Sequence, residues 1–303
     1  MASLLAVAVG PVLGWVLGAI GLAAAAYGVP VLIKRWRRSR FAEYGFEVKT
    51  FHLEQDGTVE YAQWLHPKET PKPVLQEQVT ALRRFIREGD TVIDIGAHTG
   101  DTTIHFALAA GAAGCTLGLE PNPYVFKVLA KNATLNRDKT NMVPLNFAAT
   151  ETDGYFTFSY SDGAYCNGGF LDQIQDTRHG HRQRLDVRGR NLESLLRRQY
   201  ADRLARLSFI KIDTEGYDRQ VIQSLLGILR EFQPVIVCEV YRRLNQAERE
   251  ALFDVLDQAG YECFHQASGD DLVGAPVKRE ALLDAGHFDM ISLPRKRRRA
   301  QVG

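Results

Sequence analysis

At 303 residues, with 45% hydrophobic, 24% charged and 10% aromatic side chains, the chain has the makeup of one large globular domain with small additions. That excludes a mainly disordered, collagenous or disulfide-built protein. The net charge of +1 hides an asymmetry: five basic residues fall in 34–40 and five in 295–299, with no acid in either stretch. Setting those ten aside leaves 27 basic residues against 36 acidic ones, about −9 for the body, which speaks against a nucleic-acid-binding surface.

No charged residue precedes Lys34. Residues 12–33 form an apolar stretch that, as a helix, spans roughly 33 Å, matching a bilayer core of ~30 Å. Residues 1–33 are therefore expected to form a transmembrane anchor. A cleaved signal peptide is the rival, favoured by the small residues at 23–26 but opposed by the length of the run and the lack of a basic residue before it. The basic cluster at 34–40 then places the rest of the chain in the cytoplasm by the positive-inside rule, so the expected localisation is a single-pass membrane protein with a cytoplasmic catalytic domain.

Residues 34–89 read as a basic juxtamembrane segment, a hairpin and a helix. Alternating apolar residues flank Asp56-Gly57, a hairpin signal; Val74, Leu75, Val79, Leu82, Phe85 and Ile86 then recur at helical spacing. From residue 90 to 294 strands and helices alternate. Strands are expected at 91–95, 115–119, 142–148, 207–212, 235–240, 261–264 and 288–293. Helices are expected at 99–110, 122–136, 218–232 and 246–259, with a short one capped by Asn191. Between them lies an interruption: an edge-like strand at 155–160, a polar glycine-bearing stretch and an extended segment at 183–187. Apolar strands alternating with helices indicate an α/β fold with a doubly wound, mostly parallel sheet. In such sheets ligands bind beyond the carboxyl ends of the strands, at the switch point. Residues 295–303 form a basic tail.

The cysteines at 115, 166, 238 and 263 are widely spaced and carry no zinc-ligand pattern; Cys115 and Cys238 fall within apolar strands and read as core fillers. The chemistry sits instead at three strand ends. The first reads Asp94-Ile-Gly96-Ala97-His98-Thr-Gly100. A dinucleotide fingerprint would need glycines at 96, 98 and 101, but His98 and Asp101 stand there, so an oxidoreductase reading fails. D-x-G-x-x-x-G is the strand–turn–helix pattern of S-adenosylmethionine-dependent methyltransferases. The second, Leu119-Glu120-Pro121-Asn122-Pro123, puts an acid about 20 residues on, where a carboxylate accepts hydrogen bonds from both ribose hydroxyls. The third, Ile212-Asp213-Thr-Glu215-Gly216-Tyr217-Asp218, gathers carboxylates where the transferred group should lie; crowding raises their pKa and poises one as a general base. Glu239 closes the fifth strand on the same rim. A divalent metal among Asp213, Glu215, Asp218 and Glu239 is the lesser reading, since such clusters more often order loops; no metal site is assigned.

In the order and spacing of these stretches, together with Phe147-Ala-Ala149, Asn167-Gly-Gly169 and 234–239, the chain resembles the FkbM family of methyltransferases over roughly residues 92–239. The resemblance implies a class I Rossmann-like fold, S-adenosylmethionine as donor, and methylation of a hydroxyl on a sugar or other secondary metabolite. It further implies that Asp94, Gly96, Ala97, Gly100, Glu120, Pro121 and Asn122 hold the cofactor, with the Asp213–Gly216 motif beside the acceptor. His98 replaces an Asn frequent in the family, and Tyr217 replaces a small residue. Asp213 and Glu215, then His98, are the candidate proton acceptors, ahead of His179, His181 and His287. The polar segment 161–182 is a candidate acceptor lid. A membrane tether suits a small-molecule, glycan or lipid-linked acceptor, with nucleic acid excluded as a partner. The alternative is a membrane-tethered binding module that keeps the fold without catalysis.

Overall fold

The described residues of the computed structural model are Val29 and residues 43–160, 170–171, 183–267, 271–284 and 286–295. The expected membrane span apart from Val29, the basic cluster at 34–40, nearly all of the candidate lid and most of the basic tail lie outside them. Among the described residues no helix is long and apolar enough to cross a membrane. The compact unit that contains the described core begins at Glu43.

Two antiparallel strands, β1 (Phe46–Leu53) and β2 (Gly57–Trp64), form the expected hairpin. Gly57, at φ +68°, starts the return strand in a conformation few other residues adopt. β2 carries the buried side chains Val59, Tyr61, Ala62 and Trp64, whereas β1 is exposed along most of its length. A strap over residues 65–75 leads to α1 (Gln76–Leu82).

The main sheet is built on β3 (Thr91–Ile95), β4 (Cys115–Leu119), β5 (Met142–Leu145), β10 (Leu207–Ile212), β11 (Val235–Val240), β12 (Tyr261–Gln266), β13 (Val273–Pro276) and β14 (Phe288–Pro294). Its order is β13-β12-β14-β11-β10-β3-β4-β5. The strands β5, β4, β3, β10 and β11 are mutually parallel, and β14 inserts antiparallel between β11 and β12. The chain runs outward from β3 to β5 and then restarts at β10 on the other side of β3. The switch point therefore lies between the carboxyl ends of β3 and β10, where ligand clefts open.

These strands read as continuous apolar runs because both faces are covered. Ile93, Ile95, Leu117, Leu119, Ile210 and Ile212 feed one core. Val92, Phe209, Val235 and Val237 feed the other, beneath α2 (Thr103–Ala110). By the period-two alternation, Asp94 falls on the same face as Val92. Register aligns it with Gly118 on one side and Lys211 on the other. A polar pair thus lies in an otherwise apolar layer.

Several expected bounds shift for identifiable reasons. The helix expected from 99 starts at Thr103, because Gly100 at φ +89° turns the chain first. α3 (Pro123–Asn132) excludes Asn122, which caps it by accepting from the Tyr124 N–H at 2.9 Å. The strand expected at 142–148 stops at Leu145; β5 is a sheet edge, where Pro144 removes a donor at little cost. The helix expected over 218–232 is two, α6 (Asp218–Ser224) and α7 (Leu226–Phe232), parted at Leu225 (φ −105°, ψ 2°). Asn191 caps the intervening α4 (Leu192–Gln199), followed by the single turn α5 (Ala201–Leu204), and Asn245 caps α8 (Gln246–Gln258) with a reciprocal bond from Glu248.

The interruption is a second sheet rather than an edge of the first. β6 (Ala148–Ala149), β9 (Gln183–Arg190), β7 (Gly154–Tyr160) and β8 (Phe170–Leu171) pair in that order. β7 lies inside it, paired with β9 on one side and β8 on the other. Phe158, Tyr160 and Val187 form its own small core. Cys115, Cys238 and Cys263 are buried free thiols in the main core, as expected of fillers.

Candidate active site

The glycine turn between β3 and α2 packs three left-handed residues into five: Gly96 (φ +84°), His98 (φ +50°) and Gly100 (φ +89°). Gly96 is required by the protein itself. A Cβ there would sit 2.0 Å from the backbone oxygen of Asp213, whose N–H in turn donates to Ile95 O at 2.9 Å. The missing side chain lets the ends of β3 and β10 close on each other at the switch point. The N–H groups of Gly96 and Ala97 both donate to Leu119 O, at 3.1 and 2.9 Å, so Ala97 contributes backbone while its methyl is buried. A Cβ on Gly100 would press on Leu129 of α3 at 2.9 Å.

Asp94 is fully buried and works as a strut. Its Oδ2 accepts from the hydroxyls of Thr102 at 3.0 Å and Thr103 at 2.6 Å, fixing the start of α2. Its Oδ1 makes no hydrogen bond and faces the Lys211 ammonium at 3.8 Å. Burial raises the pKa of Asp94, and Lys211 opposes that rise.

Glu120 lies just past β4 and is 5% exposed. Its Oε2 accepts from the His98 N–H at 3.1 Å and its Oε1 from the Asn122 N–H at 2.7 Å. One carboxylate therefore ties the glycine turn to the cap of α3. Burial pushes its pKa up to about 7, against the pull of the two N–H donors. Pro121 enters through its carbonyl, which with that of Glu120 receives the Asn146 side-chain amide.

His98 is packed edge-on against Trp64 of the hairpin, ring centroids 5.6 Å apart. Burial pushes its pKa down to about 4, so the ring is neutral and weakly basic. That makes it a much weaker base than an ordinary histidine.

Across the switch point, Lys211 donates to Asp213 Oδ2 at 2.9 Å, and Asp213 remains 44% exposed. Attraction from Asp213 and Asp94 holds the Lys211 ammonium charged despite burial. The following Glu215 adopts a left-handed conformation (φ +54°) before Gly216 (φ +100°). Burial, then repulsion from Asp213, pushes the Glu215 carboxyl up to about 7. Asp218 is buried and orders the turn. It accepts from the Thr214 hydroxyl at 2.9 Å and the Gly216 N–H at 3.2 Å, and its pKa rises to about 7 through burial and Asp213. Glu239 is 6% exposed, lies 3.5 Å from His287 Nδ1, and is pushed up to about 10 by burial and by Glu215, Asp213 and Asp218. Among the described residues no group of three or more His, Cys, Asp or Glu is arranged to hold a metal ion.

Lys211 and Trp64 were not singled out by the sequence reading. For Lys211 a signal exists: it is the one charged residue in the apolar run Leu207–Ile212. Trp64 gives no such signal, because its place against His98 depends on how the hairpin docks. His179 and His181 lie outside the described residues.

No curated protein matches the chain. Among solved structures, FkbM methyltransferase from Methylobacillus flagellatus is similar at 12% identity and TM-score 0.41, over 67% of this chain and 43% of that one. Aeropyrum pernix fibrillarin, solved with bound S-adenosyl-L-methionine, is similar at 12% identity and TM-score 0.40, over 84% and 99%. The O-methyltransferase from Bacillus cereus, solved with S-adenosylhomocysteine, is similar at 12% identity and TM-score 0.38, over 75% and 84%. Residues 94–263, more than half of the chain and bounded by Asp94 and Cys263 of the main sheet, match the Methyltransferase FkbM domain, and the chain belongs to that family.

Proposed function

We propose that the protein transfers a methyl group from S-adenosylmethionine to a hydroxyl oxygen of a glycan, a glycolipid or another secondary metabolite. The donor is S-adenosylmethionine, and the carboxylate of Glu120 carries the reading. Each of its oxygens already accepts one backbone N–H, which leaves one lone-pair direction on each for the two ribose hydroxyls. Gly96, Ala97 and Gly100 shape the turn beside it, Asp94 braces that turn, and Asn122 fixes the start of α3. The residues present fit the donor.

The donor supplies a methyl already activated on a sulfonium, so alignment for in-line displacement is the main demand on the chain. Glu215 receives the acceptor's hydroxyl proton on its carboxylate, because a group titrating near 7 is both available and basic enough at neutral pH. Asp213, ion-paired with Lys211, orients beside it. Glu239, held protonated near neutral pH, offers the acceptor a hydrogen-bond donor rather than a base. Residues 1–33 anchor the enzyme in a membrane with the catalytic domain cytoplasmic. That placement raises the local concentration of a lipid-linked acceptor.

Equilibrium dialysis with labelled S-adenosylmethionine tests the donor site. The wild type binds, and Glu120→Ala, assayed well below a melting temperature that falls because two backbone N–H groups lose their acceptor, loses about 10-fold or more in affinity. Equal binding by both proteins would refute the ribose assignment. The carbon NMR shift of a transferred labelled methyl then distinguishes oxygen from nitrogen as the acceptor atom.

A further inference from the structure

We infer that the strap between the hairpin and α1 recognises the amino-acid end of the donor, Lys72 taking its carboxylate and Glu69 with Asp101 its ammonium. The inference rests on the donor assignment above and adds Glu69 and Lys72, which lie before the family match begins at residue 94, and Asp101 within it.

The strap is fastened to the glycine turn at defined points. The Lys72 N–H donates to the Gln63 side chain at 2.7 Å, which fixes where the lysine leaves the backbone. The Lys72 ammonium lies 3.2 Å from Asp101 Oδ2, on the residue directly after Gly100. Three residues on, the Leu75 N–H donates to His105 Nε2 at 3.1 Å. That nitrogen must therefore be unprotonated, so Nδ1 carries the hydrogen and donates to the Asp101 carbonyl at 2.8 Å. Asp101 is held from both ends. Tyr61 at the end of the hairpin adds a bond to the Thr99 hydroxyl at 2.8 Å.

The side chains at this junction suit a zwitterion. Lys72 also lies 3.7 Å from Glu69 Oε1, on a side chain that is 4% exposed, and that oxygen has no hydrogen-bond partner. Lys72 and Asp101 remain 34% and 23% exposed, open enough to meet a ligand. By formal charge, Glu69, Lys72 and Asp101 sum to one negative charge, and the neighbouring Asp94, Lys211 and Asp213 to another. A donor with a sulfonium, an ammonium and a carboxylate carries one net positive charge. The junction adjoins the glycine turn: Asp101 follows Gly100 directly, and both Asp101 and Lys72 interact electrostatically with His98 of that turn. An ammonium flanked by two carboxylates, one of them carrying a vacant acceptor, can turn to a carboxylate while the ligand's ammonium takes its place between the acids.

Calorimetric titration with two ligands tests this independently of turnover. S-adenosylhomocysteine keeps the amino acid; methylthioadenosine keeps the adenosine and thioether but lacks it. The wild type is expected to bind S-adenosylhomocysteine about 100-fold more tightly than methylthioadenosine. Lys72→Met lowers affinity for S-adenosylhomocysteine by about 10- to 100-fold and leaves methylthioadenosine unchanged, Lys72→Arg recovers most of the loss, and Asp101→Asn shows the same selectivity. Equal losses for both ligands would mean that the strap only props the turn, and unchanged affinity for both would remove Lys72 from the site. Either overturns the inference. A wild type that binds neither ligand would instead bring down the donor assignment itself.

Discussion

Glu215 and His98 show how the surroundings of one residue decide its chemistry. Both occupy left-handed backbone at the rim of the same cleft, yet burial moves their proton affinities in opposite senses, because it penalises the charged form of each. The carboxyl rises to about 7 and the imidazole falls to about 4. Glu215→Gln is accordingly expected to lower kcat by about 10²- to 10⁴-fold with donor affinity retained, and His98→Gln to leave the pH profile in place. In the wild type, kcat/KM is expected to rise with pH along a limb centred near 7. That limb belongs to the coupled carboxylates of the rim, so Asp213→Asn shifts it as well. A limb unchanged in Glu215→Gln would assign the proton acceptor elsewhere. His98 was a reasonable candidate by sequence, as a histidine in a motif loop; only the packed Trp64 ring reveals why it is a poor base.

At the level of elements, the glycine turn is a device for closing two parallel strands at their ends. Gly96→Ala combines a left-handed backbone with a 2.0 Å approach to Asp213 O, and should cost about 3 kcal/mol or more in a denaturant unfolding series. Asn122→Ala removes one cap bond and should cost about 1 kcal/mol. The contrast between the two separates a turn that cannot relax from a cap that can. Strands buried on both faces were legible because a run such as Leu207–Ile212 has no polar face to confuse the pattern. The cap at Asn191 was legible because the signal is local. The second sheet was not, since Tyr155–Tyr160 alternates as any half-buried strand does and its partners lie far along the chain. The break at Leu225 was missed because Gly227, two residues beyond it, reads as a tolerated helical glycine; its place is set by packing, since a Cβ there would strike the Glu193 carboxylate at 2.1 Å.

For the whole molecule, the cleft holds more negative charge than the unliganded protein can easily keep. Glu120, Glu215, Asp218 and Glu239 all bind protons more tightly folded than unfolded. Their stabilising effect is full below their ordinary carboxylate range. It is lost as pH rises through about 7 for the first three and through about 10 for Glu239. The ligand-free protein should therefore melt at a lower temperature at high pH than near neutrality, and Glu239→Gln should flatten the alkaline part of the curve. A melting temperature that climbs steadily across that range would contradict the burial of these groups. The glycines at 96 and 100 were readable because the turn after β3 demands their type and spacing. Lys72, Glu69 and Asp101 were not, because a lysine and two acids in polar stretches look like solvated surface until the strap is seen fastened to the turn.

The central claim is methyl transfer, and the most direct measurement follows a labelled methyl group. Full-length protein is incubated with methyl-labelled S-adenosylmethionine and membranes of the source organism, beside Glu120→Ala and Glu215→Gln. The account predicts label in a glycan or glycolipid fraction with the wild type, and little with either variant. It also predicts that Glu215→Gln still binds the donor while Glu120→Ala binds it poorly. Label transferred equally by all three proteins, or a wild type that binds no donor, would contradict it.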